Sequence, residues 1–428
     1  LNAPFLRDRF TWAAYGALLA FGFLNAVLGP ILPYLRAVEG ISYLVGALHQ
    51  FAYAFGGGAA GLLAHRELLG RSATIRFGLL GAAAAGLGVG FGDAVAITLP
   101  ATLAMGFLNT AALIALWAAL SDAHRARRAI AMTEGEVAVS LGGIVVPLLV
   151  AVLASTAATW RFALVIGAAV VGAAVLWIGT VRVPEGQRAE PRAPGPDPAD
   201  GSGHGPAAAD QGGRSGAADA SGRGPAPADQ GGRSGAADLE AVAAAPRRRT
   251  RVQPLLAVVF SIVALEFGLS FWLASYLNVS VGLERGLAVA LVAALYGANL
   301  AGRLLASRLA RRVEAARLLA AALLTAMAGL PILIAAHAAG PATLGFVITG
   351  MGIGALFPLT SSLHVSRSRR TADAALGQVL VVAAFGQTFG PLAVAAVAQA
   401  TSLRVGFLVL PALVVAAAAA LALAVRRG

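Results

Sequence analysis

The group best placed to do chemistry in this chain is a lone carboxylate. Glu266 is the single charge between Arg251 and Glu284, and as helix it lies roughly 20 Å or more from either charged flank. Ionised at such a place, a carboxylate is costly unless it meets a partner or water. It can therefore take up a proton in one environment and release it in another, or hold a cationic solute. Kept neutral, it would serve only as a hydrogen-bonding link between helices. Other polar side chains recur singly inside apolar runs: Asn25, His49, Gln50, Asn109 and Gln387. Amides and an imidazole there can position a solute, and they can equally satisfy one another across helices. Phe267, Phe271, Trp272 and Tyr276 follow Glu266 in a loose aromatic stripe, suited to an apolar solute or to packing. Glu134 and Glu136 stand only about 9 to 12 Å beyond Arg128 along a helix. That position suits gate or loop ion pairs with Arg127, Arg128 or Arg71 more than contact with solute.

No catalytic pattern competes with this reading. The chain has no cysteine, which excludes disulfides, thiolate metal sites and Cys nucleophiles. Its six His are scattered, with no spacing that would hold a metal. Gly56 to Gly61 reads GGGAAG and matches a dinucleotide-binding pattern in letters, but no strand precedes it and close helix packing explains it better. There is no Walker A sequence, so ATP drive by this chain is not expected. Neither an enzyme nor a cofactor is expected.

The elements that must position these residues are apolar spans. Of 428 residues, 58% are hydrophobic and only 12% charged, well outside the range of water-soluble domains. A bilayer core of about 30 Å needs roughly 20 apolar residues as helix. On that criterion six spans run near 11 to 35, 41 to 64, 74 to 92, 95 to 120, 130 to 154 and 160 to 181. Six more run near 253 to 278, 286 to 306, 315 to 336, 341 to 364, 373 to 398 and 403 to 425. The charge-free stretch from Phe10 to Leu35 is too long for a signal peptide and reads as the first span. Between the two sets, residues 182–252 are rich in Gly, Pro, Ala, Asp and Arg and contain a near-duplicate, Gly205 to Asp219 and Gly224 to Asp238. Too few apolar residues are available there to offset ordering, so the segment is expected to be a disordered linker. The domain expectation is thus 1–181, a linker over 182–252, and 253–428.

Every basic residue is Arg, and the net charge is +12. Ten Arg in the linker face nine acids, so the excess sits in short loops and does not indicate a nucleic-acid partner. Eighteen Arg, Arg303 among them, fall on one side of the spans and four, Arg36, Arg161, Arg285 and Arg404, on the other. The positive-inside rule then puts both ends and the linker in the cytoplasm. The halves also match at an offset of about 242: Leu62 to Arg66 answers Leu304 to Arg308, Pro147 answers Pro391, and Arg161 answers Arg404.

Six plus six spans, a long central loop and a basic Gly-Arg loop after the second span of each half resemble the major facilitator superfamily of secondary transporters. Gly61-Leu-Leu-Ala-His-Arg-Glu-Leu-Leu-Gly70-Arg71 is similar to the signature between that family's second and third helices, with His65 where the family carries Asp. The Arg that proton-drug antiporters carry in helix four has no counterpart between Leu99 and Asn109. The resemblance implies an all-α membrane protein of twelve transmembrane helices in two six-helix pseudo-repeat bundles, with a solute site between them near the midplane. It also implies a cytoplasmic loop built on Gly61, Arg66, Gly70 and Arg71, to which the spacing from Arg128 adds Glu134 and Glu136 as gate residues.

The third and sixth spans of each half carry no charged or amide side chain in their cores, so these four are expected to face lipid, and the other eight to enclose the cavity. The expected function is secondary active transport of a small organic solute by alternating access. Protons would couple through Glu266, and Asn25, His49, Gln50, Asn109, Trp272 and Gln387 are the candidates for holding the solute. Export of a moderately hydrophobic compound is favoured by the scarcity of polar groups. Uptake of a sugar-like solute by proton symport is the alternative, and a lipid flippase or a non-transporting sensor is the alternative of another class. The expected setting is a bacterial cytoplasmic membrane, with lipid, solute and protons as partners and the chain as a monomer.

Overall fold

The computed structural model describes residues 6–63, 69–124, 127–185, 253–310, 312–368 and 372–426. Arg66 and nearly all of the 182–252 segment lie outside these residues. Among the described residues every regular element is a helix.

α1 (Arg9–Ala26) begins on Asp8, whose carboxylate accepts from the Thr11 N–H at 2.8 Å and from the Thr11 hydroxyl at 2.6 Å. Partial burial opposes ionisation of Asp8, but the Thr11 bonds outweigh it and hold the carboxyl below its usual range. The first span, expected to be continuous from 11 to 35, is two helices: α1 stops at Ala26 and α2 (Leu28–Glu39) resumes after Val27. Pro30 is the cause. It has no N–H to offer the Ala26 carbonyl, and its ring crowds that oxygen. α2 closes on Gly40, whose φ of 64° is the left-handed cap a glycine adopts without strain.

Five spans complete the first bundle: α3 (Tyr43–Leu63), α4 (Arg71–Phe91), α5 (Val95–Ala123), α6 (Arg128–Ala154) and α7 (Arg161–Gly179). The second bundle comprises α8 (Gln253–Val279), α9 (Arg285–Leu309), α10 (Ala315–Ala335), α11 (Ala339–Arg367) and α12 (Ala372–Ala400), then α13 (Leu403–Gly406) and α14 (Val409–Arg426). The last span is broken by the same rule as the first, because Pro411 cannot serve the Phe407 carbonyl. Among the described residues eleven helices are long and apolar enough to cross a membrane. α3, of 21 residues, is the twelfth span by length, with His49 and Gln50 lowering its hydropathy.

The two bundles repeat one another contact for contact. α4 packs on α5 as α10 packs on α11, α3 on α5 as α9 on α11, and α1 on α6 as α8 on α12. Close backbone approach fixes the register. A Cβ on Gly106 would meet the Tyr53 carbonyl at 2.0 Å, and one on Gly354 would meet the Asn299 carbonyl at 2.0 Å. Gly142 approaches the Leu19 carbonyl as Gly386 approaches that of Phe260. Arg161 and Arg404, matched in sequence, do the same work. Arg161 donates to the Gly90 carbonyl at the end of α4, and Arg404 donates to the Ile334 carbonyl at the end of α10. Each satisfies helix-end carbonyls that would otherwise lack a donor.

The first and seventh spans are the most enclosed, so α1, α2 and α8 form the centre. The bundles join through α6 against α9, α3 against α12 and α2 against α8. The expectation that four wholly apolar spans would carry the outward surface needs a correction. α6 is the least enclosed span and exposes Leu141, Val145, Leu148 and Val152 in a stripe. A helix at the seam between bundles needs only one polar face and can leave the other apolar.

Candidate functional site

Glu266 stands midway along α8, about 20 Å of helix from either end. It is only partly enclosed, and its carboxylate accepts a long hydrogen bond, 3.4 Å, from the Asn299 amide of α9. One turn further along α9, Arg303 donates to Glu136 of α6 at 2.9 Å. Tyr296, Asn299 and Arg303 are three and four residues apart and so share one face of α9. Tyr296 rests near Gly143, seven residues beyond Glu136 on α6. Arg303 and Glu136 both act electrostatically on Glu266. A file of acid, amide, guanidinium and acid therefore runs from mid-membrane in the second bundle across the seam to the first. The file is not saturated: the Asn299 Oδ1 and the Arg303 Nε are buried without a partner.

The first bundle holds an equivalent arrangement without the charge. Asn25 lies six residues after Leu19, as Glu266 lies six after Phe260, so the glycine register pairs Asn25 with Glu266 and Tyr53 with Asn299. The contact repeats too, since the Tyr53 hydroxyl donates to the Asn25 Oδ1 at 3.2 Å. The Asn109 amide donates to the Tyr53 oxygen at 2.8 Å, linking α1, α3 and α5. Tyr53 and Asn109 are buried, and while the Asn109 amide nitrogen serves Tyr53, its Oδ1 is left without a partner.

The remaining candidates scatter. Gln50 is buried one turn before Tyr53, and Gln387 is half-buried on α12 beside Gly386. His49 is buried near the start of α3, with its ring nitrogens on the Val45 carbonyl and the Thr98 hydroxyl. Trp272 is fully buried, its N–H donating to the Pro391 carbonyl at 2.9 Å and its ring edge-on to Tyr43 and Phe271. In this conformation no solute can touch it.

The two acids of α6 make ion pairs, but with partners other than those expected. Glu134 receives Arg7 at 2.8 Å and the Tyr15 hydroxyl at 3.1 Å. Glu136 receives Arg303, which in the sequence reads as one of the loop arginines. Arg71 instead pairs with Asp122 and donates to the Pro184 carbonyl, and Gly70 lies against Glu185. A Cβ on Gly61 would meet nothing within 4 Å, and Arg66 lies outside the described residues.

On the face opposite the chain ends the bundles are joined by close backbone approach, a hydrogen bond and a cation–π contact. Gly29 abuts the Ser270 carbonyl, the Tyr43 N–H donates to the Gln399 Oε1 at 3.1 Å, and Arg285 lies 5.3 Å over the Tyr34 ring. A cleft of about 650 Å³ opens beside this seam, with Tyr34, Ser155, Asn278, Glu284 and Arg285 in its wall. It sits at the helix ends, away from Glu266. Among the described residues no group of His, Cys, Asp and Glu could hold a metal ion.

Sequence reasoning missed Tyr53, Asn299 and the inward role of Arg303. A signal for the last two was present, because Arg303 follows Asn299 by one turn.

The comparisons agree with this architecture. Solved structures with the same fold include a bacterial homologue of the human lysosomal transporter Spinster in an inward-facing, occupied conformation (TM-score 0.72, 15% identity, 100% of this chain and 98% of that one). They also include a D-xylose–proton symporter (TM-score 0.70, 14% identity, 96% of each chain) and the peptide transporter POT in complex with sulfate (TM-score 0.69, 13% identity, 100% of this chain and 96% of that one). No curated protein matches. The family model of the Major Facilitator Superfamily matches residues 14–377, and with twelve helical spans in two repeated bundles among the described residues this chain belongs to the Major Facilitator Superfamily of membrane transporters.

Proposed function

We propose that this chain is a secondary active transporter that moves a small organic solute by alternating access, with protons coupled through Glu266. The observation that carries the reading is the file Glu266, Asn299, Arg303, Glu136, because it ties a mid-membrane acid to an ion pair across the seam. Counting charges, the three ionisable members sum to −1 with Glu266 ionised and to zero with it protonated. In the first state Arg303 has two carboxylates to serve. In the second it serves Glu136 alone, and the seam tightens. A proton on Glu266 thereby biases how the bundles meet, which is what coupling requires.

The exposed polar groups favour a moderately hydrophobic solute. Asn109 and Tyr53 are buried and bonded to one another, so neither is exposed to meet a sugar's hydroxyls. The aromatic and glycine contacts opposite the chain ends support a closed seam on that side, with access from the face that carries the ends. The excess of Arg on that face supports a cytoplasmic orientation, and this reading takes the membrane as a bacterial inner membrane and the direction as export. The unit of this reading is a monomer.

The test uses purified protein in liposomes that hold a pH-sensitive dye, challenged with pools of sugars, organic acids and amphipathic cations. Solute-dependent proton movement in wild type that vanishes in Glu266→Gln supports the proposal. Solute flux without proton movement, unchanged in Glu266→Gln, overturns the coupling role.

A further inference from the structure

A second set of titratable groups lies far from Glu266, where α2, α3 and α5 converge opposite the chain ends. His49 is buried, with 1% of its surface exposed. Its Nδ1 is 3.2 Å from the Val45 carbonyl and its Nε2 is 3.0 Å from the Thr98 hydroxyl oxygen. That oxygen is 2.7 Å from the Glu39 Oε1, while the Glu39 Oε2 is buried without a partner. Among the described residues no other ionised group meets the imidazole, and Glu39 is the one charge acting on it. Arg36 on α2 is turned to the Tyr43 ring and the Ile41 carbonyl, Asp93 before α5 is paired with Arg161, and α12 offers only Gln399 at this end.

Counting hydrogens along this chain decides its charge. The Val45 carbonyl can only accept, so the Nδ1 must carry a hydrogen. Two contacts remain, imidazole to hydroxyl and hydroxyl to carboxyl, and each needs one hydrogen. Thr98 supplies a single one. The other must come from the Nε2, making an imidazolium, or from Glu39, making a carboxylic acid. The Ala94 carbonyl, 3.3 Å from the Thr98 oxygen, is no escape, since giving it the Thr98 hydrogen raises the requirement to two. A neutral imidazole beside an ionised Glu39 leaves one buried contact as acceptor facing acceptor, which is costly at such burial.

We infer that Glu39, Thr98 and His49 form a proton-binding site separate from Glu266, holding one titratable proton shared between carboxyl and imidazole through the Thr98 hydroxyl. All three residues belong to the first bundle, so the site can keep its proton while the bundles rock. Its frame is the turn from Gly40 to Ser42, which leads straight into Tyr43 and its contacts with Trp272 and Gln399 across the seam. Loss of the proton loosens the hold on the end of α2 and so bears on that seam.

The test is ¹⁵N-histidine NMR of the full chain in lipid nanodiscs, with the His49 resonances assigned by their absence in His49→Gln. Between about pH 4 and 10, the His49 ring nitrogens of wild type are expected to pass through one step in ¹⁵N shift, from imidazolium to neutral ring if the Nε2 gives up the proton, or from an Nε2 bonded by Thr98 to one left unbonded if Glu39 does. In Glu39→Gln the amide donates permanently to Thr98, and the step is expected to vanish, with His49 neutral throughout. Glu266→Gln and Thr98→Ser, which keep every group of the chain, are expected to retain it. A step that persists in Glu39→Gln means an independent histidine and overturns the proposal. So does the absence of any step in wild type, a result that needs no variant to fold.

Discussion

A methyl group at Gly354 should disrupt the Glu266 site without touching Glu266. The backbones of α11 and α9 run so close that a Cβ there would stand 2.0 Å from the Asn299 carbonyl oxygen and 2.7 Å from its carbon. Both atoms are backbone, so neither can swing aside. Relieving the contact from 2.0 to 3.0 Å, below which real Cβ atoms essentially never approach, requires about 1 Å of helix separation. Overpacking of this kind costs about 1–3 kcal/mol. The Asn299 to Glu266 hydrogen bond is already 3.4 Å long, and a further ångström breaks it. Gly297, two residues before Asn299 on the same helix, supplies the control, since a Cβ there meets nothing within 4 Å. An alanine at Gly297 should be neutral or gain up to about 1 kcal/mol from helix propensity. The same methyl group is thus expected to destabilise at one site and not at the other, with a gap of roughly 1–4 kcal/mol. Reversible unfolding in mixed micelles measures that gap, and the liposome assay should show proton movement reduced about 100-fold in folded Gly354→Ala. Equal stability of Gly354→Ala and Gly297→Ala, or full transport by Gly354→Ala, would refute the packing argument.

Two further expectations concern helix ends outside the site. Glu284 caps α9, accepting from the Gly286 and Leu287 N–H groups at 2.8 and 2.9 Å, and these bonds hold its carboxyl below the usual range. Its contribution is therefore complete above the ordinary carboxylate value and lost as pH falls through the lowered one. Glu284→Ala should cost about 1 kcal/mol at neutral pH and nothing in strong acid, read by thermal unfolding across pH. Arg404 serves the carbonyls of Ile334, Ala336 and Ser280, whereas Arg161 serves Gly90 and pairs with exposed Asp93. Arg404→Ala should lower the melting temperature more than Arg161→Ala, and only the Arg161 variant should lose part of its effect in high salt. The reverse order would mean that the ion pair outweighs the carbonyl caps.

The spans, their number and the duplication were legible because each rests on local composition: a run long and apolar enough to cross a bilayer, Arg at its ends, and Pro and Arg recurring at matched places. Glu266 was legible for the same reason, since a charge in an apolar run is costly wherever the run packs. What the chain could not reveal by itself was partnership. Arg303 reads as a loop residue because an arginine near the end of an apolar run looks like a flank, and only the packing of α6 on α9 brings it to Glu136. His49 and Glu39 are ten residues apart with a turn between them, and the Thr98 that links them arrives from α5. Trp272 reads as a solute contact until α12 brings the Pro391 carbonyl to its N–H. Apolarity and charge are properties of a segment and survive in the sequence. Hydrogen bonds and ion pairs need two groups within about 3 Å, and which residues meet at that range is decided only when the helices pack.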